Sequence, residues 1–153
     1  DLMKGIGLCA GLEVINVPGA TGYIDTNYQG KADAALAALE LLDFVYLHVE
    51  APDEASHSGS LENKLKAIED FDRLVVGTVL GGADRFDDLR ILCCPDHPTP
   101  VHLKTHTSDP VPFIIYRHGQ QLGNGAAGYD EQQARATGLL LEQGSMLMER
   151  LLS

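Results

Sequence analysis

Hydrophobic and polar positions along the chain fall into two rhythms. Residues 13–17 (EVINV) alternate and are β-branched, which predicts a short strand. Residues 18–27 (PGATGYIDTN) break the pattern with proline, glycines and Asp-Thr-Asn, and predict a loop. From residue 30, GKADAALAALELL repeats apolar residues at helical spacing: Ala32, Ala35, Leu36, Leu39 and Leu42. Residues 43–49 (DFVYLHV) are nearly all aliphatic, aromatic or β-branched, as in a strand covered on both faces. The stretch HVEAPDEASHSG, residues 48–59, then reads as a polar loop. Ser60 is placed to cap a helix with Glu62 in its first turn. That helix carries Leu61, Leu65, Ile68, Leu74 and Val75 on one stripe. LRILCCP predicts another buried strand, and PVPFIIY a further one whose prolines favour an edge or a strand start. YDEQQARATG and GSMLMERLL read as closing helical pieces.

Strand, helix, strand, helix, strand is an α/β order. It predicts a mostly parallel sheet with helices on its faces. In such sheets ligands sit in the loops after the carboxyl ends of the strands. HVEAPDEASHSG and PDHPTP both fall there. No repeat, low-complexity stretch or internal linker interrupts the chain.

Composition narrows the function classes. The chain has 153 residues, 44% hydrophobic, with no Trp. That suits one domain with a real core. The formal charge of -11 argues against nucleic-acid or anionic-membrane partners, which need basic patches. No apolar run approaches the ~18 residues of a transmembrane helix. Three cysteines, Cys9 and the adjacent Cys93 and Cys94, make a poor disulfide framework and read as packed thiols in a reducing cytoplasm. The first residues lack an initiator Met and a signal-peptide core, and read as a cut through a longer protein.

Three polar clusters line up along this order. Asp53 and His57 lie four apart, Asp96 and His97 are adjacent after LRILCCP, and His106 precedes PVPFIIY. Two carboxylates and three imidazoles suit divalent transition metals, and they exceed what one tetrahedral site with an open position needs. Two ions a few ångströms apart can activate a nucleophile and clamp phosphoryl oxygens. His48, His102 and His118 read as ordinary strand or surface residues, and Glu50 and Glu54 as outer or solvated groups. The 18–27 loop could cradle phosphate with backbone N–H groups, but it lacks the GK[ST] of a nucleotide P-loop.

GATGYIDTN, DFVYLHVEAPDEASHSG, KLKAIEDFDR, CCPDHPTP and HTSDPVPF, in this order, closely resemble the carboxyl-terminal part of archaeal-type cofactor-independent phosphoglycerate mutases. These enzymes belong to the alkaline phosphatase superfamily, and the resemblance covers nearly the whole chain. It implies the carboxyl-terminal half of the alkaline-phosphatase-like fold. It implies two divalent metals, Mn first, with Zn, Co or Mg as alternatives. One would be held by Asp53, His57 and His106. The other would be held by Asp96 and His97, together with an aspartate and a nucleophilic serine that lie upstream in the family. Ser56, Ser58 and Ser108 do not stand in the nucleophile's context. The chain therefore reads as residues 1–153 of a metal-dependent phosphotransferase domain, a fragment that lacks the nucleophile. The implied reaction interconverts 3-phosphoglycerate and 2-phosphoglycerate through phosphoserine. Lys4 is a candidate for phosphate or carboxylate binding. The alternatives are a phosphatase or phosphotransferase of the same superfamily, or an inactive fragment. The expected partners are a small phosphorylated substrate and the amino-terminal part of the same protein. An exposed apolar seam would favour self-association.

Overall fold

The structure is a computed structural model that describes residues 2–120, 123 and 125–153. The chain separates into two compact units. The first comprises Asp1–Gly82 with Thr99–Thr105; the second comprises Ala83–Pro98 with His106–Ser153.

The first unit is helical. It contains α1 (Leu2–Cys9), α2 (Tyr28–Leu39), α3 (Ala51–Ser58), α4 (Leu61–Asp70), a π-helical turn at Phe71–Val76 and α5 (Gly77–Gly81). The Asn27 side chain accepts from the Gly30 N–H and starts α2, directly after the glycine-rich loop. Buried Tyr28, Ala32, Ala51, Ala67 and Val75 form the core, with Leu47, Val49, Phe71, Leu74 and Val79 packed against it. Three of those five are alanines, so helices α2, α3 and α4 each turn small side chains toward the same core.

The stretch expected to be a polar loop is largely helix. Residues 51–58 form α3, with Pro52 in its first turn and Gly59 at its end. Proline fits the first turn because that N–H has no intrahelical partner. Gly59 adopts φ 78°, and its N–H closes onto the Ala55 and Ser56 carbonyls. The proline and glycine that resembled turn residues are therefore the helix's own start and stop. Asp53 and Glu54 in the first turn complement the helix dipole.

Ser60 caps α4 as expected, accepting from the Asn63 N–H at 3.2 Å. The expected apolar stripe is only partly buried. Leu61, Leu65 and Ile68 are exposed, while Ala67, Asp70 and Val75 are buried. Buried Asp70 is held by Lys66 and, at 2.8 Å, by Arg73. Those two hydrogen bonds depress its carboxyl below the ordinary value of 3.8. Residues 13–17 and 43–49, expected as strands, form no ladder among the described residues. A strand exists only through a partner's hydrogen bonds, so a β-rich sequence alone does not make one.

The second unit holds β1 (Arg90–Cys93) and β2 (Ile114–Arg117), followed by α6 (Glu131–Ala136) and α7 (Met146–Leu152). The strands pair antiparallel, with Arg90 opposite Arg117 and Cys93 opposite Ile114. This pair is the ladder among the described residues, so the parallel order expected from the element sequence is not seen there. β2 starts after Pro110 and Pro112, which cannot donate to a ladder. Asp88 bridges Arg90 and Arg117, the residues paired at one end of the ribbon. The cysteines expected in the core are not fully buried: Cys9 and Cys94 are exposed and Cys93 is half-buried. No described helix is long and apolar enough to cross a membrane.

Two stability tests follow from the first unit's core. The Tyr28 hydroxyl is buried without a hydrogen-bond partner among the described residues. An unmet buried hydroxyl costs about 1–3 kcal/mol. Tyr28→Phe is expected to leave unfolding free energy unchanged or raise it by about 1 kcal/mol; a clear loss in denaturant titration would contradict this. Asp70 titrates lower when folded than when unfolded. Its contribution is complete above the unfolded pKa and disappears as pH falls through the folded one. Asp70→Asn should therefore lose less stability than wild type on acidification from pH 7 to about 3, measured by urea titration at each pH.

Candidate metal centre

Asp53 and His57 stand one turn apart on α3, which brings their side chains onto one face. Asp53 Oδ2 lies 3.3 Å from His57 Nε2. Both side chains are about a third exposed, at 28% and 36%. His57 Nδ1 is 2.9 Å from the Lys104 carbonyl. A carbonyl oxygen only accepts, so Nδ1 carries a proton. In the neutral ring Nε2 then presents its lone pair toward Asp53.

That arrangement fits a divalent ion. Ligand atoms each ~2.1 Å from a tetrahedral ion lie about 3.4 Å apart. A metal-binding histidine usually donates its other N–H to a carbonyl or carboxylate, which sets the tautomer. The remaining oxygen of the carboxylate is engaged as well. Asp53 Oδ1 accepts from the Thr99 hydroxyl at 2.5 Å.

The segment that supplies these contacts is tied down at both ends. Lys64 Nζ on α4 donates to the Thr99 carbonyl at 2.7 Å. Lys104 adopts φ 55°, and its aliphatic chain lies against Gly59, where an added Cβ would overlap Cε. Thr99, Lys64 and Lys104 carry no ligand signal in the sequence. Only the prolines flanking Thr99 mark the segment as stiff.

The other sequence candidates belong to the second unit. His97 and His106 stack with ring centroids 3.6 Å apart and planes 28° from parallel. Asp96 accepts from the His97 N–H at 3.1 Å, and its Oδ2 is 3.4 Å from His97 Nε2. The Thr107 N–H donates to the Pro98 carbonyl at 3.1 Å, which draws the two histidine-bearing stretches together. Asp96 and His106 are exposed and His97 is half-buried. Cys94 is exposed as a residue, yet burial around its sulfur, then the Asp96 charge, pushes its thiol up.

Nearby serines are committed to backbone. The Ser56 hydroxyl is fully buried and donates to the Pro52 carbonyl, while Ser58 donates to the Ala55 carbonyl, both at 2.7 Å. Neither is presented as a nucleophile. Lys31 was not singled out by the sequence pattern. It is half-buried and donates to the His48 carbonyl at 2.9 Å. Burial lowers its pKa, partly opposed by Glu50, and Lys4 lowers it further.

A model of the metalloenzyme superfamily matches residues 2–153. The chain belongs to this superfamily. It is 62% identical over 152 residues to a Geobacter sulfurreducens protein named as a probable 2,3-bisphosphoglycerate-independent phosphoglycerate mutase. That match covers 99% of this chain and 38% of the relative. A Methanosarcina acetivorans protein named as the same mutase is 54% identical over 149 residues, covering 97% of this chain and 38% of its own length. A solved Pyrococcus horikoshii protein, PH0037, superposes with a TM-score of 0.79 at 34% identity, covering 88% of this chain and 40% of that one. The chain thus spans well under half the length of these relatives, and its fold is the superfamily's α/β fold. Membership in a metalloenzyme superfamily agrees with the ligand chemistry of Asp53 and His57.

The hydrogen bond to Lys104 makes a spectroscopic prediction. Neutral His57 should be the Nδ1–H tautomer, read as the long-range 15N–1H pattern of its ring. An Nε2–H pattern in metal-free protein would show that the Lys104 contact does not set the tautomer.

Proposed function

We propose that this chain is the carboxyl-terminal, ligand-bearing part of a metal-dependent phosphotransferase domain, and that the whole protein is a 2,3-bisphosphoglycerate-independent phosphoglycerate mutase. The observation that carries this reading is the 62% identity, across 99% of the chain, to a protein named as a probable mutase of that kind. The paired donor atoms of Asp53 and His57 support it chemically.

In this reading Asp53, His57, Asp96, His97 and His106 hold two divalent ions, Mn first, with Zn, Co or Mg as alternatives. Bound ions would supply charge neutralisation at phosphoryl oxygens and lower the pKa of a hydroxyl nucleophile. The chain's own residues provide neutral imidazole and carboxylate donors and fix their orientation. A serine outside this chain takes the phosphoryl group from the C3 oxygen of 3-phosphoglycerate: one P–O bond breaks and another forms. The group then passes from serine to the C2 oxygen, with no net consumption of water. The substrate is a small phosphorylated acid, and the step belongs to glycolysis in the cytoplasm.

The remainder of the protein also has a structural part in this reading. Residues 13–17 and 43–49 are rich in strand-forming side chains yet unladdered, so they would join a mostly parallel sheet completed by the rest of the chain. Leu61, Leu65 and Ile68, at 59%, 52% and 45% exposure, are candidates for the same cover. Without it, they favour self-association of the isolated chain.

The decisive assay uses full-length protein carrying this segment. It should convert 3-phosphoglycerate to 2-phosphoglycerate without added bisphosphoglycerate, stop when chelated, and recover with Mn. Asp53→Ala, His57→Ala and His97→Ala should each lower kcat/KM by about 100-fold or more. Metal-loaded protein that only releases inorganic phosphate would make it a phosphatase. Metal-loaded protein inert toward phosphoglycerate would remove the mutase assignment.

A further inference from the structure

We propose that Thr99 is the positioning residue for Asp53, and that the Thr99–Thr105 segment presets Asp53 and His57 for a metal ion before one arrives. The inference rests on the reading of those two residues as ligands.

Thr99 is 5% exposed, and its hydroxyl donates to Asp53 Oδ1 at 2.5 Å. The other oxygen, Oδ2, faces His57 Nε2 at 3.3 Å. One carboxylate oxygen is thus committed to a neutral donor, and the other is aimed where the imidazole is aimed. A carboxylate fixed in this way coordinates through Oδ2 and loses little rotational freedom on binding.

The same short segment grips the second ligand. The Lys104 carbonyl, five residues along, accepts from His57 Nδ1 at 2.9 Å. The segment's own position comes from α4, through Lys64 Nζ and the Thr99 carbonyl at 2.7 Å. It also comes from the end of α3, where Gly59 leaves room for the Lys104 chain. Both side chains on α3 are therefore oriented from one strip of backbone that follows the Asp-His pair at 96–97 in sequence.

Three features separate Thr99 from an ordinary buried threonine. Its hydroxyl meets a charged acceptor, so the bond is stronger than a neutral one. That acceptor sits beside a second lone-pair donor. Its main-chain carbonyl is anchored by a lysine, so the hydroxyl has a fixed origin. Valine has nearly the same shape as threonine and lacks the donor, which makes the substitution specific.

The test is Mn affinity of full-length protein, followed by the electron paramagnetic resonance signal of free Mn, with melting of the metal-free form alongside. Asp53→Ala identifies the site whose affinity depends on Asp53. At that site Thr99→Val should bind Mn about 10–100-fold more weakly than wild type. Thr99→Ser, which keeps the hydroxyl, should restore most of the affinity. Thr99→Ala carries the same reading should the valine variant not fold. If Asp53→Ala weakens Mn binding and Thr99→Val binds like wild type, Thr99 only packs and the inference is overturned. If Asp53→Ala itself binds like wild type, the ligand reading fails first, and the inference falls with it. Equal losses in Thr99→Val and Thr99→Ser would also overturn it, because the hydroxyl would not be the cause.

Discussion

Two lone-pair atoms held side by side, Asp53 Oδ2 and His57 Nε2, set the terms for everything around α3. Left alone, a carboxylate and an imidazole that are each about a third exposed would hydrate separately. Their spacing comes from the helix, which puts residues four apart on one face. Their orientation comes from elsewhere: the Thr99 hydroxyl on one side and the Lys104 carbonyl on the other. A proton or a cation shared between them then turns a repulsive approach into an attractive one. The chain belongs to a metalloenzyme superfamily.

Holding that pair places demands on the rest of the first unit. The helix must stop at Gly59, because a left-handed residue there closes the last turn and leaves space for the Lys104 side chain. The buried side of α3 is small, with Ala51, Ala55 and Ser56 facing inward, so it can sit closely against its neighbours. Tyr28 fills the core beneath at the cost of an unmet hydroxyl. A rigid base keeps the two donor atoms in their observed relation.

The unladdered segments at 13–17 and 43–49 and the exposed leucines of α4 belong to a different scale of organisation. They carry the apolar and β-branched character of buried strands and a buried helix face without the neighbours that would bury them. The chain spans 38% of the Geobacter and Methanosarcina relatives' length. Local contacts around α3 are complete enough to orient the Asp53 and His57 side chains, while the sheet is a two-stranded ribbon among the described residues.

Much of this was legible in residue order. Helical spacing predicted α2, Ser60 announced α4, and the prolines of PVPFIIY foretold where β2 could begin. Residue type and a four-residue interval make Asp53 and His57 candidates, and the family resemblance implies their role as ligands. The sequence pattern suggests a loop in the same stretch, where the structure has α3, because Pro52 and Gly59 punctuate turns and helix ends alike. The contacts of Thr99 and Lys104 are not legible in residue order, since a hydroxyl and a main-chain carbonyl 46 and 47 residues away from their partners leave no trace in local pattern. The exposed stripe of α4 and the missing ladders were likewise beyond reach, because burial and strand pairing are properties of neighbours. By itself the sequence determined which side chains could bind a metal, through their chemistry and interval. The tertiary structure alone decided how two of them are aimed, because orientation is set by hydrogen bonds between segments far apart in the chain.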